Sequence, residues 1–291
     1  MPAGLVADLA ASGFRLPVVR VQALSGGRTN RIWRVDTGAG LLVVKLFRGA
    51  DDNPLFRNDG RAEEMILRVL PASAFAPRLV HSALTASGFC LIYAHLDGHG
   101  WRSGVENVAL LLSRLHKLDL RPNLPCIPSG SAALERQTRG ILSRCYSADA
   151  KELLPGAEQL SLVPEITEPG LIHGDVVPNN LIVSSSGLRL IDWQCPALGD
   201  PCEDISTFLS PAMQYLYGGT PLTARGRARF LDAYGDKAIT RRYKVLAPWF
   251  HRRMVAYCLW KSERGERDYT HAAGLERAAL EELRRKEPGA R

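Results

Sequence analysis

With 291 residues, 46% of them hydrophobic and 23% charged, the chain has ample length to bury a core, and its composition excludes wholesale disorder. The formal charge of +7 suits a protein whose partners carry phosphate, and equally an ordinary solvated arginine-rich surface. Six scattered cysteines without C-x-x-C or Cys/His spacing argue against a zinc site or disulfide framework, and the absence of a long apolar run or a secretory-type leader predicts a soluble, cytoplasmic protein with no membrane partner.

The chain opens on a short, weakly amphipathic helix, Leu5 to Ala11, and a β-type run, Val18 to Leu24. Ser25-Gly26-Gly27-Arg28-Thr29-Asn30 follows, then a second β run, Ile32 to Val35. Two adjacent glycines between strands permit positive φ and close backbone approach, as a loop over phosphates requires; an ordinary hairpin turn has the same composition. The third run, Leu41 to Phe47, carries Lys45 as its one charge. A lysine there is costly to bury unpaired, so it should face a cleft and meet an anion, unless it snorkels at a strand end. Arg61 to Leu70 has apolar residues at 62, 66, 67 and 70, a helical period ended by Pro71. Glu63 or Glu64 can then pair with Lys45; Glu63 is favoured because Ala62, Ile66 and Leu70 lie near its face, with Glu64 as the fallback.

Two more strands lead through Phe89 to Leu96, with Tyr93 and His95 in the second, to Asp97-Gly98. His95 and His99 are isolated, which is a poor basis for a metal site. Val105 to Leu118 is an amphipathic helix whose Leu115-His116 pair reads as structural, while Arg121 to Pro169 is proline-rich and then helical around Ala132 to Leu154, with no legible chemistry. In the stretch Leu171 to Asp204, two apolar runs, Leu181 to Val183 and Leu188 to Ile191, flank a Ser-Ser-Ser-Gly turn and predict a β-hairpin. Asp175, Asn180 and Asp192 have the spacing of the general kinase template, a catalytic-loop Asp, an Asn metal ligand and a second metal-binding Asp, with Gly174 in place of Arg in the triplet.

Beyond Asp204 four helices are expected, Ile205 to Leu216, Arg225 to Tyr234, Arg241 to Trp260 and His271 to Lys286. Residues 221–291 hold seventeen Lys+Arg against nine Asp+Glu. Trp249, Phe250, Tyr257 and Trp260 have near-helical spacing; core packing is favoured over a pocket that, with Trp193, would hold an organic cation.

His173-Gly174-Asp175, followed by Pro178, Asn180, Ile191-Asp192-Trp193 and Gly199-Asp200-Pro201, resembles the aminoglycoside phosphotransferase and choline kinase family of protein-kinase-like small-molecule kinases. The resemblance covers nearly the whole chain and is specific at the glycine-rich loop, at Lys45 and over 171–204. It implies an α+β, bilobal protein-kinase-like fold: an N-terminal nucleotide-binding lobe, 1–96, with an antiparallel sheet and one pairing helix, and a larger, mainly helical lobe, 97–291. It implies ATP and Mg²⁺, with Ser25, Gly26 and Gly27 cradling the nucleotide, Lys45 held by Glu63 against its phosphates, and Tyr93 and His95 at a hinge whose backbone receives adenine. Asp175 becomes the catalytic base and Asn180 and Asp192 the metal ligands; His173 organises the loop, and Asp200 and Asp204 brace it.

The expected reaction moves the γ-phosphoryl group of ATP to a hydroxyl of a small metabolite. The basic C-terminal third argues against a polycationic aminoglycoside and favours a choline-, ethanolamine- or thiamine-like alcohol. Gln194 stands where family members often carry Glu or Gly, which detaches the chain from any one member's specificity. A non-catalytic nucleotide-binding module has no physical need for Lys45, Asp175, Asn180 and Asp192 together, and no motif supports a nucleic-acid partner.

Overall fold

The computed structural model describes residues 1–24, 29–47, 49, 52–71, 74–153 and 160–286. The chain divides into two compact units, Met1–His99 with Ile182–Pro196, and Gly100–Leu181 with Ala197–Arg291. It runs through α1 (Ala3–Ala11), β1 (Arg20–Ala23), β2 (Arg31–Asp36), β3 (Leu41–Leu46), α2 (Gly60–Val69), β4 (Leu79–Thr85), β5 (Gly88–Ala94) and β6 (His99–Gly100). There follow α3 (Val105–His116), α4 (Gly130–Leu142), α5 (Ala148–Leu153), β7 (Gly170–Ile172), a 3-10 turn (Pro178–Asn180), β8 (Leu181–Ser184), β9 (Gly187–Leu190) and β10 (Ala197–Gly199). The last helices are α6 (Cys202–Leu209), α7 (Pro211–Gly218), α8 (Ala224–Tyr234), α9 (Lys237–Ser262) and α10 (Asp268–Lys286). This is the α+β, protein-kinase-like class expected from the sequence, an antiparallel sheet with a pairing helix followed by a mainly helical part. No described helix is long and apolar enough to cross a membrane.

The first unit is built on an antiparallel sheet of order β1-β2-β3-β5-β4. Leu5 and Leu9 of α1 pack with Trp33, Val35, Val44, Leu46 and Ile92 into one buried cluster. Because successive strand residues face opposite sides, Val44 and Leu46 in that cluster turn Lys45 to the other face, where it stands between Ile32 and Leu91. The α2 helix buries Ala62, Glu63, Ile66 and Leu67, and Asp59 caps it, its carboxylate accepting from Arg61 N and Ala62 N, both at 3.0 Å. The β8–β9 hairpin forms as its two apolar runs predict, and Leu190 N donates to Phe75 O at 2.9 Å.

The second unit is organised by α9, which is buried almost all round from Leu246 to Trp260 and contains Pro248. Its aromatics are core: Trp249, Phe250, Tyr257 and Trp260 are all buried, Tyr257 stacks on Trp260, and Arg264 lies 4.2 Å over the Trp260 ring. Three of the local cations are internal as well, Arg253 on Glu203 at 2.6 Å, Arg242 on Asp200 at 2.7 Å and Arg252 on Glu135. The expected helix from Ile205 to Leu216 is two helices. Ser210 Oγ accepts from Met213 N at 3.1 Å as the cap of α7, and Pro211 stands at its first position, lacking the N–H that a continuous helix would need.

Gly60 opens α2 against aromatic rings: a Cβ there would lie 2.6 Å from Phe89 Cδ1 and 2.8 Å from Phe47 Cδ2. Helix propensity favours alanine by about 1 kcal/mol at most, whereas overpacking costs about 1–3 kcal/mol. Gly60→Ala is therefore expected to lower stability, by about 1–2 kcal/mol in urea unfolding; a gain would show that the rings yield freely.

Candidate active site

In the first unit the chemistry centres on one buried ammonium. Lys45 Nζ lies 2.5 Å from Glu63 Oε2 and also pairs with Asp192 Oδ1, while Phe47 presents its ring 4.7 Å from the same nitrogen. Burial alone would push Lys45 down, but Asp192 and Glu63 outweigh it and hold the ammonium above the usual lysine range. Burial pushes the Glu63 carboxyl up to about 7; Lys45 opposes that shift and Asp192 adds to it. When both carboxylates are ionised they leave a negative charge over on the one ammonium, a setting that favours a further cation. Glu64 is engaged elsewhere, with Arg68 at 2.8 Å and Ser82 Oγ at 2.5 Å.

Asp192 is the one non-glycine among the described residues with positive φ, at 63°. Holding a side-chain-bearing residue there costs about 1–2 kcal/mol, which its surroundings must offset. Lys45 holds the carboxylate, Trp193 Nε1 donates to Leu190 O at 3.1 Å, and Gln194 is tied to Asn30 and Asp59.

Tyr93 is buried in β5 opposite Val43, and burial raises its phenol above the usual range. His95 follows the strand; its backbone N–H donates to Leu41 O at 3.0 Å and its Nδ1 lies 3.2 Å from Asp97 Oδ1. The Ala94 N–H is likewise committed, to Arg78 O. Ser25, Gly26 and Gly27 lie outside the described residues.

In the second unit the loop after β7 is hung on Asp204, a fully buried carboxylate of α6. It accepts from His173 N and Gly174 N, each at 2.8 Å, and from His116 Nε2 at 3.0 Å, while Tyr234 OH stands 2.8 Å from His116 Nδ1. Burial works to raise the Asp204 carboxyl, but these donors, His116 foremost, hold it below the usual carboxylate range. Gly174 has φ 79°, a left-handed conformation that explains glycine rather than arginine in the triplet. The ring of buried His173 accepts from Asp175 N through Nδ1 at 3.2 Å, so this residue shapes the loop. Half-buried Asp175 receives Asn180 Nδ2 on its backbone O at 2.9 Å and on Oδ2 at 3.2 Å. Asp200 accepts from Cys202 N, at the start of α6, at 3.0 Å, and from Arg242.

No group of three or more His, Cys, Asp or Glu able to hold a metal occurs among the described residues. Asn180 and Asp192, which stand on different units, are donors of another kind. With its amide nitrogen on Asp175, Asn180 keeps Oδ1 as a donor; Asp192 uses Oδ1 for Lys45 and keeps Oδ2. Each of these oxygens, taken by itself, is a hard donor of the kind that Mg²⁺ takes.

Sequence reasoning assigned no role to Tyr234 or Asn58 and read His116 as structural. Their partners lie far along the chain, His116 with Asp204 and Asn58 with Asn30, so no local spacing marks them.

The model of the phosphotransferase enzyme family matches residues 20–249. No curated protein matches the sequence. Among solved structures, a choline/ethanolamine kinase family protein from Mesorhizobium loti aligns at TM-score 0.66 and 14% identity over 96% of this chain and 93% of that one. Choline kinase from Cryptosporidium parvum aligns at 0.65 and 15%, over 92% and 89% respectively. An aminoglycoside phosphotransferase aligns at 0.64 and 15%, over 99% and 100%. Likeness at this identity concerns the fold.

Asp204→Asn would replace one acceptor oxygen by an amide NH₂ and set that donor against a backbone or imidazole N–H. Loss of about 3 kcal/mol is expected in denaturant unfolding at neutral pH, with an unchanged m-value. Since the folded-state value lies below the unfolded one, the carboxylate's contribution is present above about pH 4 and lost as pH falls through the folded value, so the two proteins should converge in acid. Equal stability at pH 7 would sink the bracing role.

Proposed function

The chain belongs to the phosphotransferase enzyme family, and from that premise we propose that it transfers the γ-phosphoryl group of ATP, with Mg²⁺, to a hydroxyl of a small molecule. The observation that carries this reading is Lys45 held between Glu63 and Asp192, because a buried ammonium fixed by two carboxylates is suited to nucleotide phosphates and leaves negative charge for a metal. The ion would neutralise phosphate charge, held by Asn180 and Asp192. Lys45 meets the phosphates that are not transferred, and Glu63 keeps it in place. Asp175 orients the acceptor hydroxyl and takes its proton. A bond forms from that oxygen to the γ-phosphorus as the bond from phosphorus to the β–γ bridging oxygen breaks, and ADP leaves. His173 and Asp204 keep the loop that presents Asp175 in shape.

For the acceptor, an amino-sugar of the aminoglycoside kind is better supported than the choline-, ethanolamine- or thiamine-like alcohol favoured by charge counting. Two observations support it. The aromatics that would have caged an organic cation are buried core, and cations of the chain already lie over them, Arg253 on Phe250 at 5.1 Å and Arg264 on Trp260. Arginines that weighed against a cationic acceptor are paired internally with Glu203, Asp200 and Glu135.

The test is Mg²⁺-dependent ADP release from ATP across kanamycin, hygromycin B, spectinomycin, choline, ethanolamine, thiamine and simple sugars. Stimulation by an aminocyclitol or aminoglycoside is expected, and Asp175→Asn should lower kcat about 10³-fold with KM for ATP little changed. Stimulation by choline alone would overturn the acceptor assignment; undiminished turnover in Asp175→Asn would overturn the base. ATP binding without turnover on any acceptor would leave a nucleotide-binding module.

A further inference from the structure

We infer that Gln194 is a positioning residue, a buried amide that holds the Asp192 loop in register with the end of the glycine-rich segment and with the start of α2; the inference rests on the phosphotransferase reading above.

A buried side-chain amide has to find a partner, and Gln194, only 8% exposed, finds one on Asn30, while its backbone carbonyl is taken by a second stretch of chain. Its Oε1 accepts from Asn30 Nδ2 at 2.9 Å, and its backbone O accepts from Asp59 N at 3.1 Å. Asn30 closes the stretch that begins at Ser25 and leads directly into β2. Asn30 and Asn58 exchange a pair of amide hydrogen bonds, Nδ2 of Asn30 to Oδ1 of Asn58 at 2.8 Å and the reverse at 3.1 Å. Asn58 in turn precedes Asp59, the cap of the helix that carries Glu63. Alongside, Arg57 donates to Pro196 O at 2.7 Å, and Cys195 Sγ reaches Arg57 O at 2.9 Å. Segments 57–59 and 194–196 are thus fastened to each other at several points, and Asn30 is fastened to both.

The clasp matters because of what stands two residues before it. Asp192 has φ 63°, and a left-handed aspartate relaxes unless the chain on each side is held. Lys45 holds its carboxylate, but an ion pair constrains one oxygen and leaves the backbone free to turn about it. Gln194 removes that freedom through its side chain and its carbonyl together. The residue therefore sets where the remaining oxygen of Asp192 is offered, and it does so from the same anchor that ends the glycine-rich segment. Its effect should fall on metal-supported nucleotide binding rather than on folding as such.

The experiment measures ATP binding by isothermal titration calorimetry, with Mg²⁺ and with EDTA, no acceptor present. Gln194→Met keeps side-chain volume and deletes the amide. Loss of one buried neutral hydrogen bond predicts that the gain in ATP affinity on adding Mg²⁺ shrinks about five-fold in this variant. Asn30→Ala, which deletes the donor and with it the exchange with Asn58, should shrink it at least as much, and the double variant should do no worse than Asn30→Ala alone, because the bond that Gln194→Met removes is already gone there. Asn30→Ala also keeps the test alive should Gln194→Met fail to fold. A folded Gln194→Met with the wild-type Mg²⁺ increment would overturn the inference, as would losses that multiply in the double variant. Wild-type protein with no Mg²⁺-supported ATP affinity would instead overturn the phosphotransferase reading itself, a failure visible before any variant is made.

Discussion

The burial of the Lys45 ammonium is the constraint on which the first unit depends. An unpaired cation at that depth is untenable, and removing one partner of a buried pair costs about 3–5 kcal/mol. The pair therefore couples three stretches far apart in sequence. The alternation of β3 aims Lys45 away from the α1 face, the cap and aromatic seat of α2 bring Glu63 to it, and the loop after β9 delivers Asp192. None of these elements can shift its register without stranding a charge. The same requirement explains why a strained φ is tolerated at Asp192: the strain, about 1–2 kcal/mol, is smaller than the penalty of an abandoned ammonium.

The second unit solves a similar problem with the charge reversed. Asp204 is a buried carboxylate satisfied by two consecutive backbone N–H groups and one imidazole. Backbone donors are a stiffer support than a long side chain, since they carry no rotamer freedom of their own to lose. A loop held by its own amides keeps its shape whether or not a ligand is present, which suits a carboxylate proposed to receive a proton in one particular direction. The His116 ring, set in turn by Tyr234, extends that support to α3 and α8.

Much of this was legible in the sequence because it follows from short-range periodicity. A charge inside the apolar run Leu41–Phe47 has to be special, and the helical period of 61–70 together with the family's pattern favours Glu63 over Glu64, which turns outward to Arg61 and Arg68. The hairpin around Ser184–Gly187 follows from two β runs and a turn. The break of 205–216 into two helices had a local signal, Ser210-Pro211, that helical spacing on either side masked. Other features had none. The amides of Asn30, Asn58 and Gln194 look like surface polarity until distant segments meet, and Tyr234 resembles any core tyrosine until its hydroxyl is seen beside His116.

Charge counting is a weak guide to the acceptor for a related reason. Seventeen cations against nine anions in residues 221–291 describe the field far from the protein, not the lining of any site. At physiological ionic strength that field decays over about 8 Å, so a ligand responds to the groups beside it. Arg253 on Glu203 and Arg242 on Asp200 present nearly neutral pairs to their surroundings, and α9 sets these cations on buried carboxylates and Arg252 on the half-buried Glu135. Residue counts over a stretch of chain therefore carry little about acceptor charge when the stretch contains a central helix. What decides it is which charges remain unpaired where the acceptor binds, and that depends on tertiary partners rather than on composition.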